Sequence, residues 1–101
     1  MDLDEIKAKV QSGEFFLSAH ADTERNNDNL EVEQVRTALL DGKILEQYED
    51  AGRGVSCLIV GFAGEQPIHI VCGWANDHRL IIITVYIPKP PHFTDPFTRG
   101  E

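Results

Sequence analysis

Pro67-Ile-His-Ile-Val-Cys-Gly-Trp-Ala75, Asn76-Asp77 and His78-Arg-Leu-Ile-Ile-Ile-Thr-Val-Tyr-Ile-Pro88 form the stretch on which the fold turns. Both arms are rich in β-branched and aromatic residues, and the Asn-Asp step between them is a short-turn signal. The stretch therefore reads as an antiparallel hairpin. Side chains alternate across a strand, so a two- or four-residue turn decides which of them share a face. On that reading His69, Val71, Gly73, Leu80, Ile82, Thr84 and Tyr86 fall on one face. Ile68, Ile70, Cys72, Trp74, Ile81, Ile83, Val85 and Ile87 fall on the other. The second face has no fully polar side chain and is the one expected under helices. The first sets a His, a Thr and a Tyr among smaller residues, and is the expected functional face.

Outward from the hairpin, Gly64-Glu65 and Gly52-Arg-Gly54 punctuate two further apolar runs. The expected strands are Lys43–Glu49, Val55–Phe62, Pro67–Ala75 and Arg79–Ile87. Such short links favour an antiparallel meander. If Gly64-Glu65 closes its hairpin, Cys57 and Cys72 lie directly opposite each other as buried thiols. Upstream, Leu3, Ile6 and Val10 stand at helical spacing before Gly13, predicting a helix over 2–12. Phe15-Phe-Leu17 is a short link or strand. Ser18 caps a second helix that runs to about Asn26 and has almost no apolar stripe. A third helix follows, with Leu30 and Val35 as staple partners, Gln34 at the capping-box position, and Gly42 as its stop. Val32, Val35, Ala38 and Leu39 are its expected buried stripe. The tail from Pro88 to Glu101 carries four prolines and is expected to be extended and draped over the sheet. The architecture is thus a single α+β domain over 1–101. Helices spanning about 2–42 cover one face of a four-stranded antiparallel meander spanning about 43–88, and a Pro-rich tail occupies 88–101.

Composition restricts what such a domain can do. One core fits a chain of 101 residues. Asp and Glu outnumber Lys and Arg by 17 to 9, a net charge of −8. That field repels RNA and DNA and suits a basic partner protein. The acidic start, Met1-Asp-Leu-Asp-Glu5, has no apolar run, and no stretch approaches the roughly 20 residues of a membrane span, so a cytoplasmic location is expected. Cofactor motifs are lacking: there is no Gly-rich phosphate loop, and no His or Cys pair stands at metal-ligand spacing.

Two polar clusters could carry chemistry. Ser18-Ala-His-Ala-Asp-Thr-Glu-Arg25 opens a helix, and His69, Thr84 and Tyr86 share the sheet face. A histidine can move protons near neutral pH, an arginine can hold phosphate, and a tyrosine can donate or position. Brought together, they would suit metal-independent phosphodiester cleavage. Each also has a structural role open to it: Arg25 pairing with Asp22 or Asp28, and His69 hydrogen-bonded in the core.

The ordered set Phe16-Leu-Ser-Ala-His20-Ala-Asp-Thr-Glu-Arg25, Leu39-Leu-Asp-Gly-Lys-Ile44, Ser56-Cys-Leu-Ile-Val-Gly61, Pro67-Ile-His69 and Ile83-Thr-Val-Tyr-Ile-Pro88 resembles domain-of-unknown-function family 4258. The likeness covers roughly Ile6 to Phe93. That family in turn is similar to the RelE/ParE toxin superfamily of small bacterial proteins. The resemblance implies a two-layer domain with one open sheet face and a catalytic set of His20, Arg25, His69, Thr84 and Tyr86. The implied activity is a toxin-type RNA endonuclease without a cofactor, acting on RNA and held by a basic antitoxin-like protein. The alternative is a non-catalytic interaction domain whose acidic surface binds a basic partner. Exposed strand edges would also permit a homodimer.

Overall fold

The computed structural model describes residues 1–50, 54–90 and 93–100. The turn expected at Gly52-Arg-Gly54 lies largely outside them, as do Pro91, His92 and Glu101 of the tail. In chain order the elements are α1 (Leu3–Gln11), β1 (Phe15–Leu17), α2 (Ala19–Asn27), α3 (Val32–Asp41), β2 (Lys43–Asp50), β3 (Gly54–Ala63), β4 (Gln66–Trp74) and β5 (Leu80–Tyr86). A small separate hairpin follows, β6 (Phe93–Asp95) and β7 (Thr98–Arg99).

The helix ends follow local chemistry. Asp2 accepts from the Asp4 amide to cap α1, and Ser18 Oγ accepts from the Ala21 amide to cap α2. At α3 the Glu31 amide donates to Gln34 Oε1, while Leu30 and Val35 are both buried across the helix start. Val32 is 40% exposed, so the stripe of α3 is Val35, Ala38 and Leu39.

The sheet corrects the expected four-stranded antiparallel meander. Among the described residues it has five strands in the order β1-β5-β4-β3-β2, and it is mixed. β1 joins parallel to β5, with Phe15 opposite Leu80 and Leu17 opposite Ile82. A parallel neighbour cannot be reached by a tight turn, so its pairing leaves no hairpin signal in the sequence.

Face assignment is corrected as well. Between Val71–Thr84 and Cys72–Ile82 the register slips by one residue, leaving Ile83 as an extra residue on β5. Beyond this bulge every side chain changes face. Leu80 and Ile82 therefore turn toward the helices and are fully buried, while Ile81 and Ile83 turn to the opposite face. A second bulge, at Leu45, does the same on β2. It places Ile44 in the helix-side core and sets Glu46 and Tyr48 on the far face, opposite Leu58 and Ser56.

Ile6 and Val10 of α1 and Val35, Ala38 and Leu39 of α3 pack on Cys57, Ile59, Ile68, Ile70, Leu80 and Val85. Each fully buried large aliphatic side chain contributes about 1.5–3 kcal/mol. Cys57 and Cys72 are Cα partners, as the Gly64-Glu65 turn requires, and both are buried free thiols with sulfurs 3.8 Å apart. The hydrogen bond to Cys57 and burial both push the Cys72 thiol up, so it stays protonated. α3 crosses β3 where β3 has Gly61. A Cβ there would come within 1.9 Å of the Ala38 carbonyl oxygen.

The second helix makes a different kind of contact. Ser18 Oγ donates to the Ile83 carbonyl, Glu24 Oε1 accepts from the Val85 amide, and Asp28 Oδ2 accepts from the Ile87 amide. Ile83 and Val85 of β5, and Ile87 just after it, present edge backbone groups beyond the end of short β1. Polar side chains of α2 and its flanks thus stand in for a missing strand and close a sheet edge. This explains why α2 has no apolar stripe. Glu24→Ala leaves the Val85 amide without its acceptor. It is expected to cost about 1–2 kcal/mol and to speed exchange of that amide, read by urea unfolding and hydrogen exchange.

Candidate functional site

The face of the sheet away from α1 and α3 is half covered. Leu58 and Val60 are buried there with His69, beneath the β6–β7 hairpin. The tail is therefore draped over the sheet, as expected, but as a hairpin and not as an extended strap. The Phe97 amide donates to Asp95 Oδ1, an Asx turn that folds Asp95-Pro96-Phe97 back on itself. Among the described residues, its contacts with the sheet include a hydrogen bond, a ring contact and an ion pair. His69 Nε2 lies 2.6 Å from the Pro96 carbonyl oxygen. The Phe97 ring lies 6.1 Å from that of Phe62, with Lys43 Nζ 4.6 Å from its centre. Arg99 reaches Glu46 with both Nε and Nη2, at 3.1 and 2.6 Å.

His69 and Tyr86 are Cα partners on β4 and β5, and the Tyr86 hydroxyl is 3.2 Å from His69 Nδ1. A carbonyl can only accept, so Nε2 carries the proton and donates to Pro96, leaving Nδ1 to accept from Tyr86. His69 is 0% exposed. Burial holds its pKa below the ordinary 6.5, with Arg99 acting the same way, although the Pro96 hydrogen bond and Glu46 oppose. Next to it, hydrogen bonds from Arg99 and then Tyr48 hold the Glu46 carboxyl below its usual range. Burial and the bond to Glu46 push Tyr48 up to about 12. Burial likewise raises Tyr86.

A pH dependence follows. The unfolded chain protonates His69 near its ordinary 6.5 before the folded chain does. Between those two values the unfolded state holds more protons, so stability falls as pH drops below about 6.5 and levels off once the folded imidazole also protonates. Acid titration of the unfolding midpoint between pH 7 and 5 is expected to show this loss, and His69→Gln to remove it.

Of the expected site residues, the structure brings His69 and Tyr86 together and sets Thr84 on the same strand, opposite Val71. His20 and Arg25 find their partners elsewhere. The His20 side chain is 68% exposed, with Nε2 3.2 Å from Glu24. Arg25 pairs with Asp22 at 2.8 Å and donates to the Leu30 carbonyl at 3.1 Å, tying α2 to the turn before α3. This is the structural role open to it from sequence. Sequence reasoning missed Glu46, Tyr48 and Arg99. Glu46 and Tyr48 stand two apart in a strand, which is the signal for a shared face. Arg99 had none.

Among the described residues no group of three His, Cys, Asp or Glu side chains could hold a metal ion, and no helix is long and apolar enough to cross a membrane.

The fold and its covered polar cluster define a small α+β domain with helices on one sheet face and a C-terminal hairpin on the other. The chain belongs to the family described as a domain of unknown function (DUF4258), which matches residues 17–87. The matched segment runs from the end of β1 through β5, holding His69, Tyr86, Glu46 and Tyr48 but not the hairpin above them. No curated protein and no solved structure matches the chain.

Proposed function

We propose that this domain is a non-catalytic interaction module that binds a basic protein segment. One observation carries the reading: His69, the group best suited to proton transfer, is fully buried with both ring nitrogens engaged. A general base must reach the proton it abstracts, and this imidazole is turned to Tyr86 and the tail. The net charge of −8 adds to this, since such a field gathers cationic partners and repels nucleic acid.

A second reading is toxin-type, metal-independent RNA cleavage of the RelE/ParE kind. It is favoured by the convergence of His69, Tyr86, Tyr48, Glu46 and Arg99, because clusters of perturbed groups concentrate at active sites. His69 would then be the acid or base, Tyr86 and Thr84 the positioning groups, and Arg25 or Arg99 the phosphate clamp.

Two assays on the full chain separate these readings. Titration with a lysine- and arginine-rich peptide is expected to give a saturable complex that weakens with added salt. Incubation with single-stranded RNA and a chelator is expected to leave the RNA intact. RNA cleavage that disappears in His69→Gln would overturn the binding reading, and so would the lack of any saturable complex.

A further inference from the structure

We infer that the sheet surface under the C-terminal hairpin is a docking site for a Pro-aromatic-x-Arg peptide segment, and that Pro96-Phe97-Thr98-Arg99 covers it as an intramolecular stand-in. The inference rests on the binding reading above and gives it an address.

The hairpin meets the sheet as a ligand would. It forms a two-stranded unit of its own and adds no strand to the main sheet. Its hold includes one carbonyl on His69, one ring between Phe62 and Lys43, and one guanidinium gripped bidentately by Glu46. Those three anchors recognise three different chemistries at fixed spacing, which is how peptide sites read sequence. Asp95, Phe97, Thr98 and Arg99 all remain exposed, so this part of the hairpin buries little of itself and is cheaply displaced.

The sheet side, by contrast, is built to be filled. With the hairpin away, the His69 Nε2–H would lose its acceptor and Glu46 its counter-charge. A partner's backbone carbonyl and arginine would restore both. The partner's basic residue also matches the acidic balance of the chain. A tethered strap competes at the millimolar effective concentration typical of short linkers, so displacement in trans is a matter of ordinary affinity.

The test uses the full chain with Arg99→Glu, which sets two carboxylates against each other and loosens the strap. The probe is a fluorescent peptide of this chain's own last nine residues, Phe-Thr-Asp-Pro-Phe-Thr-Arg-Gly-Glu. It is expected to bind this variant saturably, and about tenfold more tightly than it binds the unaltered chain, whose strap competes. The same peptide with its arginine replaced by glutamate should lose binding to Arg99→Glu. It should bind instead to a chain carrying Glu46→Arg alone, whose own Arg99 is repelled by the new arginine. Failure of the peptide to bind, or binding indifferent to Glu46, would overturn the inference. If the lysine- and arginine-rich peptide still binds in that case, the interaction reading stands and only its address is wrong.

Discussion

Gly61→Val is expected to cost about 4 kcal/mol or more, in the range reserved for the most damaging substitutions. Even one methyl carbon at this position would lie 1.9 Å from the Ala38 carbonyl oxygen and 2.7 Å from its carbon. The obstacle is the backbone of α3, not the tip of a side chain that could rotate away. α3 would have to lift from β3, uncovering Val35, Ala38 and Leu39 together. A domain of this size typically has about 5–15 kcal/mol to lose. The soluble yield and urea midpoint of Gly61→Val, set against Gly64→Val, provide the check. Gly64 has open space for a Cβ, and its φ of +62° adds only local strain, so the second variant should remain folded.

His69→Ala is the second large effect, expected at about 3 kcal/mol. It removes an imidazole from a sealed site and takes one hydrogen bond from the Tyr86 hydroxyl and one from the Pro96 carbonyl. It should also release the hairpin, so that the amides of Phe97 and Thr98 exchange much faster. Arg99→Ala should act differently. The Arg99–Glu46 pair is half exposed, and such pairs contribute about 0–1 kcal/mol. A His69→Ala chain with stability within about 0.5 kcal/mol of the original would mean that the imidazole is a surface group.

Much of the architecture was readable from residue order. Ser18, Gln34 and Gly42 marked helix ends through hydrogen-bonding chemistry that acts within a few residues. Gly64-Glu65 set Cys57 opposite Cys72 because a two-residue turn leaves no freedom of register. What escaped was whatever depends on distant partners. The bulge at Ile83 exchanged the faces of Leu80 to Ile83, and nothing in a run of isoleucines marks where a strand will slip. α2 lacked an apolar stripe because it closes an edge with Ser18, Glu24 and Asp28, a role no periodicity reports.

The site was half readable for the same reason. His69 and Tyr86 met because alternation across one hairpin brought them together. The Pro96 carbonyl and Arg99 arrive by tertiary docking of a tail whose sequence suggested only extension. His20 and Arg25 looked chemically apt, but α2 spends them on Glu24, Asp22 and the Leu30 carbonyl.

The state of the His69 ring separates a binding face from a catalytic one. Nitrogen NMR of the labelled chain reads its tautomer and its titration directly. The prediction is a neutral imidazole protonated at Nε2, slow to exchange that proton, and titrating below 6.5. An imidazole that titrates at or above 6.5 with a freely exchanging Nε2 proton would place it in solvent, and would return this face to catalysis.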